Sequence, residues 1–344
     1  MPELPEVETI RIGLSRLLPG LKIKTVEHDW PKSFPNAPAD VARFLVGAEV
    51  VGVRRRAKVL IIDLSSQYSL IIHLKMTGQL VFVGQQRFGA GHPNADLVND
   101  LPAKSTRVII TFEPRKAEIT DGLEPSARKR RSAEQIVQKV RSVSTGVADE
   151  AIGQERGRSF GLRPKVGPHG PQLFFNDQRK FGWMRLMPTI EIPEIDFFKK
   201  VGPEPLEDDF TVDMFIERIM RRKNSNIKAV LLDQTVLAGV GNIYADESLW
   251  LAKIHPATIV SQIPKTKLMA LYNGLLQVLR LSIEKGGSTD KNYVDAEGNK
   301  GSYLSFANVF RKEGQPCPRC GTIIEKTRVA GRGTHFCPHD QILP

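Results

Sequence analysis

The sequence predicts a multidomain α+β protein: an N-terminal helix plus an antiparallel β-sandwich, a helical domain, and a C-terminal zinc-ribbon hairpin. Three observations predict this class. Apolar residues recur at helical spacing over residues 2–18, short β-rich runs follow until about residue 186, and helical patterns return after residue 203. All three cysteines fall in a short C-terminal stretch rich in turns. We therefore expect domains at 1–188, 203–290 and 305–344.

The first two elements follow directly from the apolar pattern. A helix is indicated by Leu4, Val7, Ile10, Leu14, Leu17 and Leu18, and Pro19-Gly20 ends it. Strands are indicated by short runs rich in β-branched and apolar residues, at 59–64, 69–74, 79–83, 107–112 and 172–176. Runs of this length with intervening turns favour an antiparallel sandwich or barrel.

The chain starts with a residue that can act as a nucleophile. Met1 precedes a small residue, which favours its removal, and Pro2 would then carry a free secondary amine. The pKa of an N-terminal amine is roughly 8, against 10.4 for lysine, so much of it is neutral at physiological pH. Such an amine can attack a carbonyl-like carbon to give an iminium ion, while the Glu3 carboxyl moves protons. The alternative is that Pro2 is only the first residue of the helix.

Residues 114–168 interrupt the β-rich region. They contain twelve Lys or Arg against seven Asp or Glu, with few large apolar side chains. Such a segment cannot bury enough apolar surface to order itself, so we expect a largely disordered basic insert, with a short helix possible around 132–143. A linker without a role and an arm that touches DNA both remain open.

A proline-rich linker at 203–205 separates the β-rich region from the helical domain. Helices are predicted at 211–222, 227–232, 244–251 and 265–285. Asn226 can cap the second of these, and the glycine-rich stretch 239–242 forms a turn before the third.

The composition and charge of the chain indicate its binding partner and its cellular location. The net charge of +11 favours a polyanionic partner, with nucleic acid first. No run approaches the roughly 20 apolar residues of a membrane span, and the start lacks the apolar core of a signal peptide. We therefore expect the protein to be cytoplasmic and not to bind a membrane.

The cysteines have the spacing of a zinc site. Cys317 and Cys320 form one knuckle, and Cys337 begins a second after an interval of sixteen residues. The usual fourth cysteine is absent. Hairpin spacing favours Asp340 as the fourth ligand, whereas ligand chemistry favours His339. A complete set would hold one structural Zn ion, because no position is left for water; a hairpin without metal is the alternative.

Six segments, taken together and in order, resemble the bacterial formamidopyrimidine-DNA glycosylase family. They are MPELPEVET, RRAKVLIIDL, HLKMTGQL, NDQRKFGW, LLDQTVLAGVGNIYADE and the terminal zinc ribbon. The resemblance covers nearly the whole chain apart from the insert. It implies a monomeric bifunctional DNA glycosylase/AP lyase that removes 8-oxoguanine and formamidopyrimidines from double-stranded damaged DNA and then cuts the strand by β,δ-elimination. It also implies a bacterial, nucleoid-associated location through DNA.

The resemblance assigns catalytic roles to three residues. Pro2 matches the amine that attacks C1′ and forms the Schiff base, and Glu3 matches the proton-transfer carboxylate. Lys58 matches a second essential basic residue near the lesion, and we expect it on a strand. Glu6 matches an acidic position that supports the helix start and the sugar site.

The resemblance also assigns DNA contacts. Met76, Arg179 and Phe181 match the residues that fill the hole left by a flipped base. The neighbouring contact positions are His73 and Lys180. Lys180 stands where the family usually has arginine, so an ammonium replaces a guanidinium that could bind a phosphate through two donors.

Further contacts are expected from the second half of the chain. Residues 227–247 resemble a helix–two-turn–helix DNA-binding module, in which Asn242 and Lys228 lie near the lesion. Arg332, in the turn of the hairpin, presents forked donors that suit a phosphate. The glycine-rich stretch 286–289, with Tyr293 and Tyr303, resembles the loop that covers the extruded base.

Two rival functions remain. One is an endonuclease VIII-like glycosylase for oxidised pyrimidines, which the combination of Met76, Arg179 and Phe181 disfavours. The other is a non-catalytic damaged-DNA-binding protein, which the intact Pro2, Glu3 and Lys58 disfavour.

Overall fold

The computed structural model describes residues 2–92, 95–97, 99–114, 170–288 and 303–344. Most of the basic insert lies outside the described residues, including the helix expected around 132–143. Thr289 and Tyr293 lie outside them as well. Within the described part of the chain, no helix is long and apolar enough to cross a membrane.

Two antiparallel sheets form the first domain, as the sequence predicts. The strands of the first sheet are Ile23–His28 (β1), Gly78–Val83 (β5), Arg87–Gly91 (β6), Thr106–Phe112 (β7) and Gln172–Asp177 (β8). Those of the second are Val50–Arg56 (β2), Val59–Leu64 (β3), Tyr68–His73 (β4) and Trp183–Pro188 (β9). The strand order is β1-β7-β8-β5-β6 in the first sheet and β2-β3-β4-β9 in the second.

The core of this domain combines the two sheets with the N-terminal helix, Leu4–Leu17. Leu14 of the helix, Leu60 of β3 and Phe175 of β8 are all fully buried in it. Gly13 permits close contact, since a Cβ there would lie 2.2 Å from the Phe88 ring. Burial of Leu, Ile and Phe side chains at about 25 cal/mol per Å² supplies most of the favourable free energy of such a core.

β3 is buried on both faces. Ile61 points away from the main core and packs with Ile71 and Ile192 in a separate cluster. The segment that follows β9 covers this cluster with a 3₁₀ turn, Thr189–Glu194, and a short helix, Asp196–Lys200. Because both faces of β3 are buried, its sequence is a nearly continuous apolar run.

The second domain is helical and has its own core. Its helices are Val212–Met220, Ile227–Leu232, Asn242–Leu251 and Lys265–Glu284, followed by a single turn, Tyr303–Phe306. The Asn226 side chain accepts from the Ala229 N–H at 2.8 Å, so this residue caps its helix as the sequence predicts. The long helix Lys265–Glu284 also contacts the N-terminal helix, which joins the two domains around the first residues of the chain.

The C-terminal hairpin consists of Glu325–Val329 (β10) and Arg332–Phe336 (β11). Its small core contains Val309, Ile324 and two of the cysteines, and it packs on Trp250. The last turn of the Asn242–Leu251 helix therefore carries the hairpin.

Candidate active site and DNA interface

The N-terminal residues lie at the junction of the two domains. The helix begins at Leu4 after an N-cap at Glu3, so Pro2 precedes the helix and is not its first residue. The Leu4 N–H donates to the Gly239 carbonyl at 3.0 Å, and the Glu3 N–H donates to Glu6 Oε2 at 2.7 Å. These two bonds hold Pro2 at the wall of a cavity.

The Glu3 carboxyl is buried with little hydrogen bonding. Oε1 accepts from the Ile243 N–H at a long 3.4 Å, and Oε2 has no partner among the described residues. Gly241 makes room for it, because a Cβ there would lie 2.1 Å from the carboxyl carbon. Burial raises the pKa of Glu3 to about 7, against the opposing charge of Lys58. The carboxyl can therefore both give and accept a proton near neutral pH.

Lys58 lies in the two-residue turn between β2 and β3, not on a strand as expected. Ala57, the first turn residue, adopts a left-handed conformation with φ +52°, and its N–H donates to Glu204. Lys58 Nζ donates to the Val240 carbonyl at 2.9 Å. Burial lowers the pKa of Lys58, while the carboxylates of Glu3 and Glu6 oppose the shift.

The turn that carries Lys58 is anchored by a buried ion-pair network. Arg55 Nη1 lies 2.7 Å from Glu204 Oε2, and Arg55 Nε lies 2.9 Å from Glu8 Oε2. Arg56 Nη1 reaches the other Glu204 oxygen at 3.0 Å. Glu204 belongs to the predicted linker. Its contacts with the turn therefore hold Lys58 in position.

Glu6 connects the helix start to the helical domain. Its Oε1 accepts from the Tyr244 hydroxyl at 2.5 Å and from the Ser288 N–H at 2.8 Å. The Tyr244 hydroxyl also lies 2.6 Å from Ser282 Oγ. Burial raises the pKa of Tyr244 well above its ordinary value, so the phenol keeps its proton and can donate to Glu6.

The three expected hole-filling residues lie together on two adjacent turns. Met76 precedes β5, and Arg179 and Phe181 lie between β8 and β9. Met76 is 42% exposed and Phe181 is 54% exposed, although both are large and apolar. Arg179 joins them: Nη1 lies 3.0 Å from the Met76 sulfur, and the guanidinium carbon lies 4.8 Å from the Phe181 ring centroid.

Asp177 organises both turns. This fully buried carboxylate accepts from the Thr77 hydroxyl on one turn. On the other turn it accepts from the N–H groups of Arg179 at 3.2 Å and Gly182 at 2.7 Å. Single carboxylates of this kind carry no spacing signal, so sequence reasoning did not identify Asp177.

His73 and Lys180 flank the same surface. His73 Nδ1 accepts from the Lys75 N–H at 3.0 Å, which leaves Nε2 as a donor in the neutral ring. Burial, with the charges of Lys75 and Lys58, lowers the pKa of His73 to about 4, so the ring is neutral at pH 7. Lys180 Nζ lies 4.4 Å from the centroid of the Trp30 ring.

Lys228 lies beside the cavity, near Asn242 as the resemblance implies, but its ammonium is directed at protein groups. Its side chain is fully buried, and its ammonium lies 2.6 Å from Asp246 Oδ1. It also donates to Thr334 Oγ1 at 2.7 Å and to the Gly333 carbonyl at 3.2 Å. With all three donors directed at protein acceptors, Lys228 offers none to a phosphate. It holds the turn of the hairpin against the helical domain.

Asn242 and Arg332 meet at that turn. Asn242 Nδ2 donates to the Gly333 carbonyl at 2.9 Å. Arg332, at the start of β11, is exposed and lines the same cavity as Lys58. Its positive charge contributes to the lowered pKa of Lys58, after the larger effect of burial.

A single cavity of about 810 Å³ brings these groups together. Its wall includes Pro2, Glu3, Glu6, Lys58, Met76, Asn242 and Arg332. His92 lines it too and was not foreseen, because a lone histidine in a loop carries no pattern. This volume is within the range of ligand pockets and can hold a nucleoside removed from a duplex.

The C-terminal cysteines form a cluster that fits a zinc ion. The ligand atoms of Cys317, Cys320, Cys337 and Asp340 all lie within 4.8 Å of one another, and the sulfurs of Cys320 and Cys337 are 3.4 Å apart. Zn–S bonds of about 2.3 Å in a tetrahedron require similar separations. The His339 side chain is 68% exposed and lies outside this group. A zinc ion here would be structural.

Fold and cavity together indicate a DNA-processing enzyme, with a β-sandwich domain, a helical domain, a cavity lined by Pro2 at their junction, and a C-terminal hairpin that fits zinc. Three family descriptions match in this order: the formamidopyrimidine-DNA glycosylase N-terminal domain over residues 1–127, its H2TH domain over 201–293, and the zinc finger found in FPG and IleRS over 314–342.

Curated relatives match over the full length. The formamidopyrimidine-DNA glycosylase of Pelotomaculum thermopropionicum is 34% identical over 339 residues, with 98% of each chain covered. That of Pediococcus pentosaceus is 34% identical over 343 residues and covers both chains completely. Lactococcus lactis Fpg in complex with DNA that contains an abasic site is 30% identical, with a TM-score of 0.73 over 99% of each chain. The chain belongs to the formamidopyrimidine-DNA glycosylase family, the DNA glycosylases of base excision repair that also act as AP lyases.

Proposed function

We propose that this enzyme excises oxidised purines from double-stranded DNA with Pro2 as the nucleophile. The observation that carries the proposal is the arrangement of Pro2, Glu3 and Lys58 on one cavity wall. Relatives that bind DNA with Fapy-dG or carbocyclic 8-oxo-G support this class of lesion.

Glu3 would serve the base-removal step. After Met1 is removed, the Pro2 amine forms a bond to C1′ while the bond from C1′ to the base breaks. The unpartnered Oε2 of Glu3 is free to move protons between the ring oxygen, the amine and the sugar. With its pKa raised to about 7, this carboxyl changes protonation state at little cost near neutral pH.

The C1′–O4′ bond then breaks, O4′ takes a proton, and the Pro2 nitrogen forms the iminium ion at C1′ that drives strand cleavage. It withdraws electrons from C2′, so loss of a C2′ proton breaks the C3′–O bond, and a second elimination breaks the C5′–O bond. Lys58, held by the Val240 carbonyl and next to Glu3, would stabilise the phosphate and favour the neutral amine of Pro2 by its charge.

The exposed Met76–Arg179–Phe181 cluster would enter the duplex. An apolar wedge can unstack a base step, and Arg179 can donate to the base left unpaired. His73, Lys180, Asn242 and Arg332 would contact the backbone around the lesion. We place Zn²⁺ at Cys317, Cys320, Cys337 and Asp340, and we expect a monomer that acts in the cytoplasm at the nucleoid.

A panel of lesions tests this proposal. Duplexes with 8-oxoguanine opposite cytosine, Fapy-dG, an oxidised pyrimidine or an abasic site are incubated with the full chain, and released base and cut strands are measured separately. We expect the fastest release from 8-oxoguanine and Fapy-dG. Faster release of oxidised pyrimidine would instead support the endonuclease VIII-like function, and binding without release of any base would contradict catalysis.

A further inference from the structure

The zinc centre contains a carboxylate among three thiolates, and this carboxylate has a charged partner. We propose that Asp340 binds zinc through Oδ1, and that Arg319 is the outer-sphere residue that fixes the carboxylate in this orientation. The inference concerns metal retention by the hairpin and does not depend on which lesion the enzyme excises.

The geometry divides the two carboxylate oxygens between two partners. Arg319 Nη1 donates to Asp340 Oδ2 at 2.9 Å. The Asp340 side chain is only 9% exposed, and its carboxylate lies with the three sulfurs. Because Oδ2 accepts from the guanidinium, Oδ1 is the oxygen without a competing charged donor, and the proposal assigns it to the metal. A carboxylate that binds through one oxygen needs such a partner to keep its orientation.

Arg319 is itself held rigidly from the opposite side. Its Nη2 donates to the Trp250 carbonyl at 3.0 Å, and the guanidinium carbon lies 3.8 Å from the centroid of the Trp250 ring. Trp250 Nε1 in turn donates to Cys317 Sγ at 3.4 Å. One tryptophan of the helical domain thus supports both a thiolate and the arginine that orients the carboxylate.

Charge gives a second reason for an arginine at this position. Three thiolates and a carboxylate bring four negative charges, and Zn²⁺ brings two positive ones, so the filled site has a net charge of −2. The charge of Arg319 reduces this excess, and its planar fork can serve Asp340 and the Trp250 carbonyl at once. A lysine could supply the charge but not the planar pair of donors that binds both acceptors.

Two other arrangements make different predictions. His339 could replace Asp340 as the ligand, because its Nδ1 lies 3.6 Å from Asp340 Oδ1. Alternatively, Arg319 could stabilise the hairpin only by stacking on Trp250, with no effect through Asp340.

Metal affinity and cobalt spectra of the full chain separate these possibilities. Zinc affinity is measured by competition with a chelator, and the Co²⁺-substituted protein is measured by absorption, with circular dichroism to verify folding. The variants are Asp340→Asn, Asp340→Cys, His339→Gln, Arg319→Lys, Arg319→Met and the double variant Arg319→Met with Asp340→Cys.

The proposal predicts a defined pattern. Asp340→Asn weakens zinc binding and alters the cobalt d–d bands, whereas His339→Gln changes neither. Asp340→Cys raises the thiolate-to-cobalt absorption about 1.3-fold, from three sulfurs to four. Arg319→Met weakens zinc binding by about 10- to 100-fold, the usual effect of losing an outer-sphere partner, and Arg319→Lys restores only part of it.

The double variant decides the role of Arg319. If the arginine acts through the carboxylate, its loss costs at least about threefold less in the Asp340→Cys background, since coupled residues are not additive. An equal loss in both backgrounds would show that Arg319 only packs, and would overturn its proposed role. A His339→Gln variant with altered cobalt bands, beside an Asp340→Asn variant without them, would overturn Asp340 as the ligand.

Discussion

Glu3 should make the protein less stable as the pH rises, and Glu3→Gln should remove this dependence. The carboxyl is fully buried in the folded protein, and burial raises its pKa from 4.5 to about 7. The folded state therefore binds a proton more tightly than the unfolded state does. Its stabilising contribution is complete below pH 4.5 and is lost as the pH rises to about 7.

The magnitude follows from the two pKa values. At about 1.4 kcal/mol for each pH unit, the interval from 4.5 to 7 corresponds to ~3 kcal/mol, and the pKa of about 7 already includes the opposing charge of Lys58. The difference in free energy of unfolding, variant minus wild type, should thus increase by up to that amount between pH 4.5 and pH 8. Glutamine keeps the shape of the side chain but does not titrate.

Urea unfolding followed by circular dichroism at several pH values measures this difference. Glu27→Gln, on the exposed part of β1, controls for the change of residue type. A difference between Glu3→Gln and wild type that stays constant with pH, or that decreases as the pH rises, would refute the reasoning.

Three further predictions concern packing and DNA contact. Gly241→Ala should destabilise the fold by ~1–3 kcal/mol and reduce base excision at least about tenfold, because its Cβ would meet the Glu3 carboxyl at 2.1 Å; excision assays and urea unfolding check it. Lys228→Met should cost ~3–5 kcal/mol in urea unfolding, because it leaves the Asp246 carboxylate buried without its partner. Phe181→Ala should change the free energy of unfolding by less than ~0.5 kcal/mol while slowing excision, because the ring is 54% exposed and would act only in DNA.

Each of these has a contrasting outcome. Gly52→Ala is the matched control for Gly241→Ala, because nothing lies within 4 Å of a Cβ at Gly52; equal losses in the two variants would contradict the steric argument. If Lys228→Met has normal stability but binds DNA weakly, Lys228 contacts DNA and the argument from its ion pair with Asp246 is wrong. Full excision activity in Phe181→Ala would exclude a wedge role for this ring.

Most of the architecture could be predicted because each element has a local pattern. The helical period of the first residues, the apolar runs of the strands and the cap at Asn226 depend on neighbours within a few positions. The start of the first helix was ambiguous. In the structure it begins at Leu4, whose N–H donates to the carbonyl of Gly239, far away in the sequence.

The parts that could not be predicted depend on contacts between residues that lie apart in the sequence. Lys58 was expected on a strand, but Glu204 of the linker stabilises a turn at Ala57. The sequence predicts Lys228 near the lesion site, but it does not predict that the ammonium pairs with the buried Asp246 on the next helix. The fourth zinc ligand was open between neighbouring residues, and only the folded hairpin directs one of them, Asp340, toward the cysteines.

The central claim is that the Pro2 amine forms the covalent bond to the lesion. Borohydride reduction during turnover of a duplex with 8-oxoguanine opposite cytosine would trap that bond, and mass spectrometry of the digested adduct would locate it. We predict an adduct on Pro2 of the mature chain, and none when Met1 is retained or an N-terminal tag blocks the amine. An adduct on Lys58 or any other lysine, or equal trapping with Met1 retained, would contradict the account.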